Sequence, residues 1–112
     1  MSKLNEQFAM QLKAVGIPFE REVRFHPKRM WRFDFTFEGK IAMEIDGGTW
    51  IQGGHSRGKG HRNDAEKQNA ANMLGWTIYR ATTDMVKDGT ALLTIEAAVG
   101  IDLDERCRLA GL

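Results

Sequence analysis

Only one cysteine, Cys107, stands among 112 residues, so no disulfide can close within the chain. A single thiol fits a reducing compartment. No apolar stretch approaches the roughly 20 residues that a membrane span needs. The opening residues, MSKLNEQFAM, lack the apolar run of a secretory signal. A cytoplasmic protein with no membrane partner is expected. Excess charge is missing too, because 16 Lys and Arg against 15 Asp and Glu leave +1. Bulk electrostatics therefore do not announce a nucleic-acid binder. Repeats, linkers and low-complexity tracts are absent. What remains is 42% hydrophobic and 28% charged, ordinary for a globular chain. A single domain over residues 1–112 is expected, with its core at about 4–98 and a short charged tail at 101–112.

The distribution of charge says more than its sum. Arg21, Arg24, Lys28, Arg29 and Arg32 crowd one stretch, and Arg57, Lys59 and Arg62 crowd another beside His55 and His61. The acids gather late, at Asp84, Asp88, Glu96, Asp102, Asp104 and Glu105. One part of the surface could meet phosphate while the other is solvated. The plainer reading is two ordinary solvated surfaces.

Hydrophobic spacing gives the elements. Leu4, Phe8, Leu12 and Val15 form one stripe on a 3.6-residue period, predicting a helix over 3–15 that Gly16 and Pro18 stop. Residues 20–25 alternate as a short strand with Val23 and Phe25 on one face. Residues 31–37, WRFDFTF, place Trp31, Phe33, Phe35 and Phe37 on one face and Arg32, Asp34 and Thr36 on the other. After the turn Glu38-Gly39-Lys40, residues 41–46 form the next strand. Residues 47–62 carry six glycines and no periodicity, so a loop is expected. A helix over 64–74 follows, capped by Asn63 or Asp64, drawing apolar surface from Ala70, Ala71, Met73 and Leu74, and closed by Gly75. A strand at 76–80 and a helix from Thr90 to about Val99 complete the order.

Register follows from the alternation. A three-residue turn sets Phe37 opposite Ile41, Phe35 opposite Met43 and Phe33 opposite Ile45, keeping both apolar sets on one side. The other face then pairs Thr36 with Ala42, Asp34 with Glu44, and Arg32 with Asp46. Two carboxylates with Cβ atoms roughly 5 Å apart repel each other. A cation, an arginine or a raised pKa must offset that. A hard divalent ion such as Mg²⁺ suits such oxygens and could activate water against a phosphodiester. The competing reading leaves both acids on a solvated face, neutralised by Arg32.

In the glycine-rich loop, backbone amides together with Arg57, Lys59 and His61 could approach phosphate. A mobile surface loop is the plainer alternative. Trp50 could stack on an exposed base or cover the sheet, whereas Trp31 is expected in the core. Gly53 to Lys59 satisfies G-x₄-G-K, but Gly60 stands where a phosphate-binding loop needs Ser or Thr, which argues against an NTPase. Zinc is not expected, since Cys107 is distant and two histidines six apart make a poor ligand set.

In order, the blocks RFDF, AMEIDGG, GGHSRGKG, DAEKQNA and GW resemble small phage and prophage endonucleases of the PD-(D/E)xK superfamily. They are also similar to relatives of the very-short-patch mismatch endonucleases. The resemblance spans about residues 4–98. It implies an α/β, restriction-endonuclease-like domain: an αβββαβ core whose mixed four-stranded sheet is flanked by helices. It also implies a metal-dependent endodeoxyribonuclease using Mg²⁺ or Mn²⁺. Asp34 matches the motif aspartate, Glu44 the glutamate of E-x-K, and the Ile45 carbonyl completes the coordination. Two departures stand out: Asp46 occupies the lysine position and Phe33 the proline position. Asp46 could serve as a third ligand or as a base. Lys67 could restore the missing cation, although an i,i+3 surface pair with Asp64 is the simpler role for it. Arg62 and Arg32 are further candidates for that charge. His55 could act as base or proton donor, as histidines do in the mismatch relatives. Glu22 or Glu6 could be the extra acid many members carry, Glu6 being the more exposed by its helix position.

The expected function is hydrolysis of DNA phosphodiesters by metal-activated water. Asp34, Glu44, Asp46, Lys67 and His55 are the expected catalytic residues, and Arg57, Lys59, His61, Arg62 and Arg32 the DNA contacts. A non-catalytic DNA-binding module of the same fold is the alternative, and RNA remains open as substrate. The resemblance allows a homodimer or a phage or host protein partner.

Overall fold

The computed structural model describes residues 2–46 and 59–100. Its element order is α1 (Lys3–Val15), β1 (Glu20–Arg24), β2 (Arg32–Phe37), β3 (Ile41–Ile45), α2 (Lys59–Met73), β4 (Thr77–Ala81), α3 (Thr83–Lys87) and α4 (Thr90–Gly100). The strands form one sheet in the order β1-β2-β3-β4. β1, β2 and β3 run antiparallel, and β4 lies parallel to β3. This is an α/β fold with a mixed four-stranded sheet and helices on both faces, as the sequence implied. Among the described residues no helix is long and apolar enough to cross a membrane.

Local chemistry sets the helix ends. The Ser2 hydroxyl oxygen accepts the Asn5 N–H at 3.0 Å, and Gly16 closes α1 at φ 78°. That left-handed cap suits glycine, which carries no Cβ to clash. Phe8, Ala9 and Leu12 bury the inner face of α1, whereas Val15 is 46% exposed and leaves the expected stripe. The helix before β4 begins at Lys59 rather than 64. Residues 59–62 are therefore helical and not part of a loop, and Asn63 and Asp64 are interior positions rather than caps. Met73 and Leu74, expected as apolar surface of α2, are exposed. Ala71 is fully buried and lets the helix approach the sheet closely. The five-residue α3 was not anticipated; Thr82 caps it, accepting the Met85 N–H at 3.4 Å. It is too short to show a 3.6-residue period.

The sheet divides two cores. One gathers Phe8, Leu12, Phe35, Phe37, Met43, Val86 and Ile95, which come from α1, β2, β3, α3 and α4. Phe8 meets the Phe35 ring edge-on at 5.1 Å, a favoured aromatic geometry. The other joins Phe33, Ala42 and Ala71, with Phe25, Trp76 and Ile78 against them. Phe33 thus lies apart from Phe35 and Phe37, correcting the expectation that all the aromatics of this strand share one face. Trp31 is half-buried rather than core, stacked on Phe25 at 6.2 Å.

The Phe8→Ala variant should lose about 3–5 kcal/mol of unfolding free energy in urea titration. Met73→Ala, at a position 86% exposed, should change it by less than about 0.5 kcal/mol. Equal losses would refute the placement of α1 against the sheet.

Candidate active site

The β2–β3 ladder begins as the alternation requires. Phe37 pairs with Ile41, Thr36 with Ala42, and Phe35 with Met43. The turn between them places Gly39 at φ 88° and Lys40 at φ 58°. One step further the backbone ladder gives way to side chains. Glu44 Oε2 accepts the Asp34 N–H at 3.3 Å, and Asp34 Oδ2 accepts the Ile45 N–H at 2.8 Å. Each acid is thus bonded to the main chain of the neighbouring strand, and the two are crossed rather than merely opposite.

The disturbance continues into β1. Its pairs run Arg21 with Phe35 and Val23 with Phe33, passing over Glu22 and Asp34. Glu22 sits at φ 52°, a left-handed conformation that costs a non-glycine residue about 1–2 kcal/mol. Alternation breaks at Asp34, which explains why Phe33 and Phe35 enter different cores. Period-two reasoning assumes an unbroken pleat, and the acid pair breaks it.

Glu44 is only 7% exposed. Lys67, reaching in from α2, is ion-paired to Glu44 Oε1. Its ammonium also donates to the Arg32 carbonyl at 2.5 Å and lies 5.4 Å from the centre of the Phe33 ring. The expected surface pair of Lys67 with Asp64 gives way to this inward contact. Burial raises the Glu44 carboxyl above its usual range. The Lys67 hydrogen bond and charge pull it back, the Asp34 charge raises it further, and the Asp34 amide lowers it. Asp34 is half-buried and lines a cleft of about 630 Å³ with Ser2, Asn5, Ile45, Thr83 and Lys87.

Asp46 does not pair with Arg32. Its N–H bonds the Ala81 carbonyl at 2.8 Å, and its carboxylate lies 3.3 Å from Arg80. Arg80 also donates to Gln68 Oε1 at 3.2 Å. Sequence reasoning missed both Arg80 and Gln68. Arg80 stands beside Glu44 in the parallel β3–β4 register, and no local pattern reveals which strand becomes that neighbour. The side chains of Arg32 and His61 are exposed, and Arg62 lies 3.4 Å from Glu66. Glu6 is exposed and pairs with Arg21 at 2.5 Å, while Glu22 points to solvent. His55, Arg57, Trp50 and Cys107 lie outside the described residues, as does the side chain of Lys59. Among the described residues no group of three or more His, Cys, Asp or Glu converges as a metal site. Asp34 and Glu44 supply two carboxylates from adjacent strands, a hard-oxygen set.

Because the folded Glu44 carboxyl titrates above its unfolded value near 4.5, the native state binds more protons there, and stability falls as pH rises between the two values. Glu44→Gln imitates the protonated acid. In metal-free buffer its stability relative to the parent should therefore rise as pH increases above the unfolded value near 4.5, read by urea titration at each pH. A difference independent of pH would refute the upward shift of the buried Glu44 carboxyl.

No protein-family model matches the chain, and no curated protein matches it. Among solved structures the chain is similar to the homing endonuclease I-Bth0305I catalytic domain. The TM-score is 0.59 at 18% identity, over 82% of this chain and 87% of that one. At that identity the likeness speaks for the fold alone: the mixed sheet and its flanking helices are shared with a nuclease domain.

Proposed function

We propose that this chain is a metal-dependent endonuclease of the PD-(D/E)xK type, hydrolysing DNA phosphodiester bonds within a single domain. The observation that carries the reading is the crossed Asp34–Glu44 pair with Lys67 bound to the same glutamate. Two acids held this close are costly for the fold, and a metal-dependent phosphodiester-cleaving site uses such a pair as hard-oxygen ligands. The likeness to a homing endonuclease catalytic domain supports an endonuclease and DNA as its substrate.

In this reading Asp34 and Glu44, with the Ile45 carbonyl, hold Mg²⁺ or Mn²⁺. When bound, such an ion acidifies a water and stabilises charge on the attacked phosphate. Lys67 does what the motif lysine would do. It comes from α2 rather than from β3, yet reaches the same carboxylate, and holds its positive charge beside the phosphate. Asp46 orients Arg80 in place of serving as base, since the guanidinium engages its carboxylate. Arg32, His61 and Arg62 contact DNA together with Arg57 and Lys59, and His55 supplies a proton. Two copies would let two sites cut two strands.

One observation favours the rival, a DNA-binding module without catalysis. Lys67 already gives Glu44 the compensation that a metal ion would give. Supercoiled plasmid incubated with Mg²⁺ or Mn²⁺, against EDTA, separates the two. Metal-dependent nicking is expected. Asp34→Asn should slow it by at least about 10²-fold, and Lys67→Ala by about 10²–10³-fold. Unimpaired cutting by Asp34→Asn would sink the assigned site, and DNA binding without cutting would select the rival.

A further inference from the structure

A second feature lies at the end of the β1–β2 ribbon, in the loop of residues 25–31. Arg24 and Arg32 bracket this loop and stand directly opposite each other in the strand register. Both are exposed. Like charges facing across a ladder destabilise it, so the fold itself gains nothing from this pair. Among the described residues neither guanidinium has a carboxylate partner, nor does the ammonium of exposed Lys28. Among the described residues, three cations without a carboxylate partner thus fall between positions 24 and 32 of a chain whose net charge is +1.

The loop between the two arginines, which carries Lys28, is held firmly. The His26 ring Nδ1 accepts the backbone N–H groups of Lys28 and Arg29, at 3.1 and 2.9 Å. Trp31, Phe25 and Phe33 stack as a column that runs from the loop into the core beneath α2. The Arg29 guanidinium covers the Trp31 ring at 3.9 Å. Both side chains then donate to one atom of α2, Asn63 Oδ1, at 3.2 and 3.1 Å. Met30, 65% exposed, stands beside them at the rim of an open depression.

The same helix face ties this loop to the candidate active site. Asn63 and Lys67 are four residues apart, so they lie on one face about 6 Å apart along the axis. Asn63 holds the loop and Lys67 holds Glu44. Successive phosphates of one DNA strand advance about 3.4 Å along the duplex axis, so one turn of α2 corresponds to roughly two nucleotides.

We infer that Arg24, Lys28 and Arg32 form a preorganised ridge that grips the phosphate backbone of duplex DNA a few nucleotides from the acid pair. The inference rests on DNA being the substrate in the reading above, and adds Arg24 and Lys28 to its contacts. Holding the loop in advance removes the ordering cost that binding would otherwise incur. The ridge reads no sequence, because phosphate contacts position a duplex without specifying it.

The test is fluorescence anisotropy with a labelled mixed-sequence duplex in EDTA, from roughly 50 to 200 mM salt. Working without metal separates binding from cleavage. Arg24→Ala and Lys28→Ala should each weaken binding about 5- to 10-fold near 0.1 M salt and lower the salt slope by about 1. Lys28→Arg should restore both. Lys13→Ala removes an equal charge from the C-terminal turn of α1 and should leave the slope unchanged. Thermal melts confirm that each variant is folded. If the two ridge variants match Lys13→Ala, the ridge is refuted while metal-dependent plasmid cutting still decides the nuclease. Absent duplex binding by the parent protein, or tighter binding of single strands or RNA than of duplex, likewise refutes it.

Discussion

A carboxylate inside a small domain has to be compensated, and here the compensation organises the centre of the molecule. Burying an isolated charge costs several kcal/mol even after relaxation. Glu44 is nearly inaccessible, and three contacts answer that cost. Lys67 brings the opposite charge across from α2, the Asp34 amide donates to the same carboxylate, and the Lys67 ammonium is itself fixed by the Arg32 carbonyl. Together these join β2, β3 and α2 at one point. Removing one partner would leave a buried charge unanswered, which is more damaging than never having built the pair.

The cores on the two sides of the sheet do different work. On one side α1, α3 and α4 bury large side chains, including Phe8, Leu12 and Ile95, against Phe35 and Met43. This side supplies most of the apolar burial. On the other side α2 is a polar helix that meets the sheet through the small residue Ala71, beside Phe33 and Ala42. Close approach is what allows Lys67 to reach Glu44 and Asn63 to reach the β1–β2 loop. The stable face fixes the strands, and the polar helix delivers charged groups to one end of them.

Backbone irregularity is concentrated where the acids are. Glu22 adopts a left-handed conformation, the β1–β2 pairing passes over Asp34, and the β2–β3 pairing yields to side-chain bridges beyond Phe35 and Met43. Such departures persist only where surrounding contacts over-determine them, and they cluster at working sites. The break exchanges two ladder positions for a pair of carboxylates anchored to opposite strands, one facing Lys67 and the other lining the cleft beside α1.

Much of this was legible in the sequence because it depends on local periodicity. The α1 stripe of Leu4, Phe8 and Leu12, the turn at Gly39, and the pairing of Phe37 with Ile41 follow from side-chain spacing and from which residues tolerate positive φ. The nearness of Asp34 and Glu44 followed from the same register. Where alternation failed, at Phe33, the cause was the acid pair itself, whose hydrogen bonds to the backbone outweigh the pleat. The partners of those acids were decided by tertiary structure. Lys67 could face Asp64 or the sheet, and only the docking of α2 through Ala71 turned it inward. Arg80 became the partner of Asp46 because β4 lies parallel to β3. The sequence by itself determined the strands, the faces of β2 from Phe35 onward and the two adjacent carboxylates, since these are set by neighbours in the chain. Which cations answer those carboxylates was decided by the packing of α2 and β4, because charges distant in sequence meet only when the chain has folded.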